Sequence, residues 1–458
     1  MRSKANMPSR VAIIGAGIMG LSLAQRLSSQ GVQVTLFERE RQAGGLTTYH
    51  DYGHFWWDRF YHVILSSDRN LIGYLHEIGL GDQLRWSPAR SGLYARGRMY
   101  PVTSPWELLR FPLVGMIGKL RLARTILTCN RIRDWRALEA VSVEEWLIGQ
   151  CGRRTYEAFW KPLLLAKLGE QYARVSAVFI WSYITRLFST RDTTAQRNQL
   201  GYVAGGYRTV IRRLEQLIQA AGGTIRLGTA IQAIVPAPDG GLSVHANGRE
   251  DHFDKAIWTG PIESGSPLAT QGLVSVGATS GPVEYLGVVC PVLVTRKPVV
   301  PYYTLNLADS EIPFTGVIGM SSIVPTKETA GLFLTYFPKY VPSDDPYLKL
   351  PDDTVRQLFG EGLRKLFPDL QEADIVSLHI NRAVKVQPLQ VLHYSTKVPT
   401  VATRHKDFFV LNTSQFVNST LNNNAVIGAV NEFVQAHGRN FVEVSNLSQT
   451  GLEPARVS

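Results

Sequence analysis

The sequence predicts an α/β fold in which a parallel-sheet domain is joined to a second, mixed α+β domain. One observation is an apolar run, Val11 to Ile14, that enters a glycine-rich turn and is followed by an amphipathic helix. Another is a second apolar run, Val32 to Phe37, at the distance expected of the next parallel strand. The third is length, because 458 residues exceed what one simple core organises.

The glycines of the first turn, Gly15, Gly17 and Gly20, have the spacing G-x-G-x-x-G. The first allows the tight turn, the second lets the main chain approach a diphosphate, and the third lets helix and strand pack closely. The helix N-terminus supplies amide donors to the phosphates. Glu38 ends the next strand, where a carboxylate accepts hydrogen bonds from ribose hydroxyls and disfavours a 2′-phosphate, although Arg39 weakens the second argument. The pattern predicts a dinucleotide site, and its alternative is a structural turn without a ligand.

The segment ERERQAGG, which follows the second strand, resembles the extended fingerprint of the flavin amine oxidase superfamily. That superfamily includes protoporphyrinogen oxidases, phytoene-type desaturases and, more distantly, UDP-galactopyranose mutases. The later segments GYVAGGYRTVIRRLEQL and DKAIWTGP are similar to two further motifs of the family. The resemblance implies an FAD-dependent oxidoreductase. It implies a Rossmann-like FAD-binding domain of the glutathione-reductase type and a mixed α+β substrate domain.

The resemblance also implies which residues contact FAD. Arg41 and the Gly44-Gly45 pair would wrap the diphosphate, and the strand that includes Ile231 would meet the adenine. Asn412 stands where the family has a Gly-Asp pair, and its amide could hydrogen-bond ribitol or act only as a turn and helix cap. The expected cofactor-binding residues are Gly15, Ala16, Gly17, Ile18, Met19, Gly20, Glu38, Arg39, Arg41, Gly44, Gly45, Leu46, Ile231, Asn412, Asn424 and Ala425.

The nucleotide-binding segments are far apart in the chain, so the FAD domain is predicted to be discontinuous. The first insert into it reads mostly as helices, and the second contains strand-like runs. Alternating apolar residues also predict a strand from Ile225 to Ile231. We assign to the FAD domain residues 1–85, 200–270 and 396–440, to the substrate domain residues 86–199 and 271–395, and to a flexible tail residues 441–458.

Candidates for the chemistry are few, namely His62, Arg59 and Lys385. His62 could carry a proton, because imidazole titrates near neutrality, or it could be a packed histidine. Arg59 could place positive charge beside the flavin, and Lys385 could touch substrate or be solvated. No cysteine or histidine spacing indicates a metal site.

The chain has a net charge of +11. Most of this excess of basic residues lies between Arg85 and Arg136, a segment that contains eleven basic residues and two acidic ones. Apolar residues alternate with these basic ones. The segment could be a helix with a solvated basic face, a surface that rests on anionic lipid, or the lining of a pocket for an anionic substrate. No nucleic-acid-binding module accompanies the charge.

Three functions are compatible with these features. The first is an oxidoreductase that moves a hydride from a C–H or C–N unit to flavin N5, on a lipid-like or isoprenoid substrate, with dioxygen or a quinone as acceptor. The second is a flavin-dependent, net non-redox sugar-nucleotide mutase, and the third is a catalytically impaired FAD-binding protein. Three scattered cysteines and no recognisable signal peptide indicate a cytoplasmic protein, peripheral at the inner face of the membrane if the basic segment binds lipid.

Overall fold

The computed structural model describes residues 9–189, 199–262, 273, 283–309 and 311–441. The strands, in chain order, are β1 Arg10–Ile14, β2 Gln33–Phe37, β3 Tyr49–Asp51, β4 Trp56–Asp58, β5 Leu84–Pro88, β6 Ser91–Ala95, β7 Arg98–Pro101, β8 Gln199–Val203, β9 Thr224–Arg226, β10 Ile231–Pro236, β11 Leu242–Ala246, β12 Arg249–Phe253, β13 Lys255–Trp258, β14 Tyr285–Thr295, β15 Thr304–Leu307, β16 Gly316–Gly319, β17 Phe333–Tyr336, β18 Lys339–Pro342, β19 Ile375–Pro388 and β20 Phe408–Val410. The helices are α1 Ile18–Ser29, α2 Arg69–Glu77, α3 Pro105–Arg110, α4 Met116–Arg131, α5 Val143–Cys151, α6 Arg153–Thr155, α7 Lys161–Leu168, α8 Ala177–Ser189, α9 Tyr207–Ala220, α10 Asp352–Leu366 and α11 Asn423–His437.

A parallel sheet in the order β20-β13-β1-β2-β9 organises the nucleotide-binding half. Its central strands β1 and β13 and the edge strand β20 are short and mostly buried, because both faces are covered, whereas the other edge strand, β9, is partly exposed. Helices α1, α2, α9 and α11 pack together against one face, through residues such as Leu21, Leu214 and Ile427. The antiparallel β10-β11-β12 sheet covers the other face, with Ile234 and Val244 against Ile14. This arrangement confirms the predicted α/β fold of the glutathione-reductase type.

The strand predicted from Ile225 to Ile231 is two strands, and that prediction was wrong. β9 ends at Arg226 and β10 begins at Ile231. Between them Gly228 takes a positive φ of 62°, which turns the chain. The amides of Gly228 and Thr229 then donate to the carbonyls of Glu40 and Glu38, at 2.8 and 2.7 Å, instead of to a neighbouring strand.

The second half combines an antiparallel-rich sheet with helices. Its sheet runs β18-β14-β17-β16-β15-β6-β7, and β19 also pairs with β14. β14, Tyr285–Thr295, is the longest fully buried strand described. Helices α4, α5, α7 and α8 share a separate apolar cluster that includes Leu122, Leu147 and Ile180. This half is the mixed α+β domain that the sequence predicts.

The strands of the parallel sheet fall within residues 1–85, 200–270 and 396–440, but the exact domain boundaries stay a prediction. The expected tail lies outside the described residues except for Phe441. Among the described helices, none combines the length and apolar character needed to cross a membrane.

Candidate functional site

The carboxyl ends of β1, β2 and β13 meet at the first glycine turn. The Gly15 amide donates to the Phe37 carbonyl at 2.8 Å, which ties the turn to β2. Thr259, just after β13, donates its hydroxyl to the carbonyls of Ile14 and Gly15, at 2.9 and 3.1 Å. The DKAIWTGP segment therefore returns to the turn from a position more than 200 residues away. Ligands of open α/β sheets bind at this edge.

The three glycines of the turn differ in their backbone conformation and in the atoms around them. Gly15 has a φ of 104°, and Gly20 lies so close to the Gly15 carbonyl that a Cβ there would overlap it. At Gly17, by contrast, a Cβ would meet no atom of the described residues within 4 Å apart from its chain neighbours. No side chain caps α1, and its first turn has no acidic residue. The main chain at Gly17 therefore faces open space beside uncapped amides, a cradle that fits a diphosphate.

The second glycine loop lies directly against the first. The Gly44 amide donates to the Ala16 carbonyl at 2.7 Å, and Gly17 and Gly44 form a parallel bridge. A Cβ at Gly45 would lie 3.1 Å from the Gly17 Cα. Both Gly44 and Gly45 have positive φ angles, 116° and 55°, which side chains rarely adopt. The two loops thus form one wall, with the backbones of Ile18 and Leu46 beside it.

Glu38 is held in place by the main chain. Its Oε2 accepts from the Ala16 amide at 2.7 Å, and its Oε1 accepts from the Glu40 amide at 3.0 Å. Each carboxylate oxygen keeps a further lone pair for a ribose hydroxyl. The turn between β9 and β10 pairs with Glu38 and Glu40, which brings Ile231 to the same end of the sheet. Arg39 forms an exposed pair with Glu40 at 3.3 Å, and Arg41 is exposed.

The side chains of Asn412 and Asn424 form hydrogen bonds with other parts of the protein. The buried Asn412 amide donates to the Gly260 carbonyl at 2.9 Å, and its oxygen accepts from the Ser414 amide at 3.0 Å. Asn424 accepts from the Leu71 amide at 3.1 Å, which joins α11 to α2. The Ala425 amide is taken by the cap of α11. Their contacts with FAD stay a prediction.

Asp58 and His62 lie beside Tyr207 at the start of α9, with Asp58 buried and the His62 side chain 21% exposed. His62 Nδ1 lies 2.9 Å from the Phe60 carbonyl and 4.0 Å from the Asp58 carboxylate, which accepts the Tyr207 amide at 2.7 Å. Burial lowers the pKa of His62 to about 4 and raises the pKa of Asp58 to about 8. Both groups are therefore mainly neutral at pH 7. His62 also packs edge-on against the Tyr207 ring, at 5.2 Å between centroids.

Arg59 contacts β19 of the large sheet, and Lys385 lies on β19 itself. Arg59 donates to the Arg382 carbonyl at 3.1 Å, and its own carbonyl accepts from Asn381 at 3.0 Å. Lys385 lies 5.8 Å from the centre of the Tyr285 ring. Catalytic roles for Arg59, Lys385 and His62 stay predictions.

A cluster that has no signature in the sequence is formed by Lys167, Tyr61, Tyr183, Tyr303 and Tyr340. The hydroxyls of Tyr61 and Tyr340 are 2.8 Å apart, and the Lys167 ammonium lies 5.8 Å from the Tyr61 ring centre. These residues come from α7, α8, β18 and the loops before α2 and β15. No motif or spacing in the sequence joins them, so only the tertiary structure identifies the group.

Comparison with known proteins gives a family match over most of the chain. The model of the family described as flavin containing amine oxidoreductase matches residues 18–413. The chain is 28% identical to hydroxysqualene dehydroxylase of Sinorhizobium fredii, over 27% of this chain and 36% of that protein. It is 27% identical to mitochondrial protoporphyrinogen oxidase of Nicotiana tabacum, over 26% and 24% of the two chains. The matches thus cover about a quarter to a third of these curated relatives.

A solved structure extends the likeness to nearly the whole fold. It is described as a putative protoporphyrinogen oxidase from Exiguobacterium sp. 255-15, and it superposes with a TM-score of 0.73. The alignment covers 96% of this chain and 99% of that one, at 16% sequence identity.

Proposed function

Because this chain belongs to the flavin containing amine oxidoreductase family, we propose that it moves a hydride from a C–H or C–N unit of its substrate to N5 of FAD. The observation that supports this most directly is the bare Gly17 main chain, which faces open space where two glycine loops and an uncapped helix meet. Such a cradle suits the diphosphate of FAD, the cofactor of this family.

The chain's own groups bind and orient, while the bound flavin supplies the hydride acceptor. The first-turn amides of α1 would hold the diphosphate, and Glu38 would hold the ribose hydroxyls. Burial keeps Asp58 and His62 mainly neutral, so neither of them adds a charge beside Tyr207 at the start of α9. Tyrosines of the second half would exclude water from the substrate.

We propose that the substrate is lipid-like or isoprenoid. A surface on α3 and α4 would bind the membrane in which such a substrate is found. The inner face of α4 buries Leu122, Thr125 and Cys129. Its opposite face carries an apolar stripe at helical spacing, Met116, Leu120 and Leu127, whose side chains are 62%, 67% and 56% exposed. A helix with apolar residues on both faces needs a partner for the outer one.

Charge favours anionic lipid as that partner. Residues 108–133 contain six basic residues and no acidic one. Next to this stretch, on α3, Trp106 is 69% exposed, and indole rings favour the interface between lipid and water. Three buried, free cysteines fit a reducing compartment, so we place the protein at the cytoplasmic face. Hydroxysqualene, named for one relative, is a long apolar molecule of the kind that would lie in such a membrane.

The redox assignment is tested with the purified full-length chain. We expect a flavin absorbance spectrum, release of FAD identified by mass spectrometry, and substrate-dependent reduction of dioxygen or a quinone. Activity that requires prior flavin reduction and consumes no acceptor would instead indicate a mutase. Bound FAD without turnover of any substrate offered would indicate an impaired enzyme.

The membrane surface is tested by sedimentation with vesicles. We expect binding to phosphatidylcholine vesicles that contain phosphatidylserine, because each basic residue near an anionic surface adds about 1 kcal/mol, and weak binding to vesicles without it. Leu120→Glu should lower the bound fraction several-fold. Leu392→Glu, at another exposed leucine, is the matched control. Equal binding of both variants would contradict the proposed surface.

A further inference from the structure

Lys167 is an inward-facing cation without an acidic partner among the described residues. None of the ion pairs formed there includes it. The neighbouring cation, Arg186, is already engaged by both carboxylate oxygens of Asp68, at 2.9–3.2 Å. Burial, and then the charge of Arg186, lower the pKa of Lys167 to about 8. A bound anion would therefore stabilise this ammonium, because a charge that is removed from water without a partner is unfavourable.

The walls around Lys167 are aromatic and carry spare hydroxyl hydrogens. Tyr61 and Tyr340 share one hydrogen bond of 2.8 Å, so one of their two hydroxyl hydrogens is still available to a ligand. Tyr303 is buried, whereas Lys167, Tyr61 and Tyr340 each keep part of their surface accessible. Burial raises the pKa of Tyr340 to about 12, so this hydroxyl stays a donor at neutral pH. The group therefore offers a cation and a hydroxyl within an apolar wall.

This cluster is connected to the dinucleotide cradle through α9. Tyr61 precedes His62, whose ring packs on Tyr207 at the start of α9. One turn further along α9, Ile211 is the side chain that a Cβ at Gly44 would meet. A continuous set of contacts thus connects Lys167 to the wall proposed to hold the cofactor.

We propose that Lys167, together with the Tyr61–Tyr340 hydroxyl pair, binds the carboxylate or phosphate group of an otherwise apolar substrate. The inference rests on the proposed function and narrows its substrate class to an amphiphile with one anionic end. The ammonium supplies the charge, the free hydroxyl hydrogen supplies a directional donor, and the tyrosine rings contact the apolar body. Because the anion is held at one end, the apolar part is directed along the wall that leads to the cradle.

The experiment measures binding of three probes with the same eight-carbon tail, octanoate, octyl phosphate and octanol, by calorimetry. With the unmodified chain, we expect at least one anion to bind about tenfold or more tightly than octanol, which corresponds to about 1.4 kcal/mol. The tighter anion identifies whether the site prefers carboxylate or phosphate. In Lys167→Met this preference should disappear, while the affinity for octanol stays within about twofold.

Two variants separate charge from structure. Lys167→Arg keeps the cation and should retain most of the preference for anions, and Lys161→Met, on the same helix, should leave it unchanged. An unmodified chain without preference for either anion would overturn the inference, as would an equal preference in Lys167→Met. The flavin spectrum of each sample is recorded separately, so loss of FAD, which bears on the proposed function, is distinguished from loss of anion binding.

Discussion

At the scale of single residues, Gly17 and Gly20 look alike in sequence and differ in what surrounds them. Gly20 is required by packing, because a side chain there would overlap the Gly15 carbonyl. Gly17 has open space around it, with the extended φ and ψ of −69° and 176° that any residue can adopt. The fold therefore does not need glycine at this position, although a bound diphosphate would.

We expect Gly17→Asp to fold normally and to lose FAD. Aspartate is a good helix N-cap, so thermal stability without cofactor should stay the same or rise by a few tenths of a kcal/mol. Its carboxylate would repel the diphosphate and occupy the open space. Absorbance at flavin wavelengths and a melting curve measure the two effects. Gly20→Ala is the converse control, with an expected loss of stability, and a yellow Gly17→Asp protein would contradict the cradle.

Also at the scale of single residues, burial raises the pKa of Asp58. Its folded-state pKa of about 8 is above the ordinary value of 3.8, so the folded chain binds a proton that the unfolded chain releases between these values. The stabilisation is complete below about pH 4 and is lost as the pH rises through about 8. We expect Asp58→Asn, whose amide oxygen can still accept the Tyr207 amide, to gain stability relative to the unmodified chain from pH 5 to 8.

Denaturant melts of the two proteins at several pH values measure that difference. The exposed Asp239→Asn serves as the control and should show a constant offset. A difference for Asp58→Asn that stays constant with pH would refute the neutral carboxyl.

At the scale of elements, an ion pair joins helices from the two halves. Asp68 precedes α2 and accepts from the Leu65 amide at 2.8 Å, while Arg186 of α8 donates to both of its carboxylate oxygens. The Asp68 side chain is only 2% exposed. Removal of the arginine would therefore leave a charge buried without its guanidinium partner.

We expect Arg186→Met to lower the free energy of unfolding by about 3 kcal/mol, and Asp68→Asn in the same chain to restore part of it. Chemical denaturation of the single and double variants measures the coupling. Lys365→Met, which breaks the exposed pair with Glu311, should cost less than about 1 kcal/mol. Additive effects of the two changes would show that the pair itself contributes little.

At the scale of the whole molecule, the cofactor cradle is assembled from segments that are distant in the chain. The first glycine turn, the Gly44 loop, the turn after β9 and the end of β13 meet at one edge. A ligand that contacts all of them binds only the folded chain and stabilises it by mass action.

We expect FAD at a hundredfold excess over its dissociation constant to add about 2.7 kcal/mol to the free energy of unfolding. Melting temperatures of cofactor-free protein with and without added FAD measure this effect. Gly17→Asp should show no such increase. An equal shift in both proteins would mean that FAD binds elsewhere.

The sequence by itself determined the local parts of this protein. Glycine spacing, the carboxylate at Glu38 and apolar periodicity depend on neighbouring residues, so they predicted the α/β fold and a dinucleotide site. FAD and the family were implied by the resemblance of ERERQAGG and two later segments to family motifs. The same local pattern predicted one strand through Gly228, because a local pattern does not show main-chain partners that lie 188 and 191 residues away in the chain.

Only the tertiary structure decided the long-range parts. It showed that the Asn412 and Asn424 side chains hold strands and helices together, that His62 lies beside the buried Asp58, and that Lys167 lies among tyrosines from distant elements. Burial and hydrogen bonding depend on which distant segments pack together. The spacing of residues along a single sequence does not predict which segments those are. The candidate groups for chemistry are therefore brought together only by packing, whereas the glycine turn and Glu38, with which the cofactor cradle begins, are local motifs.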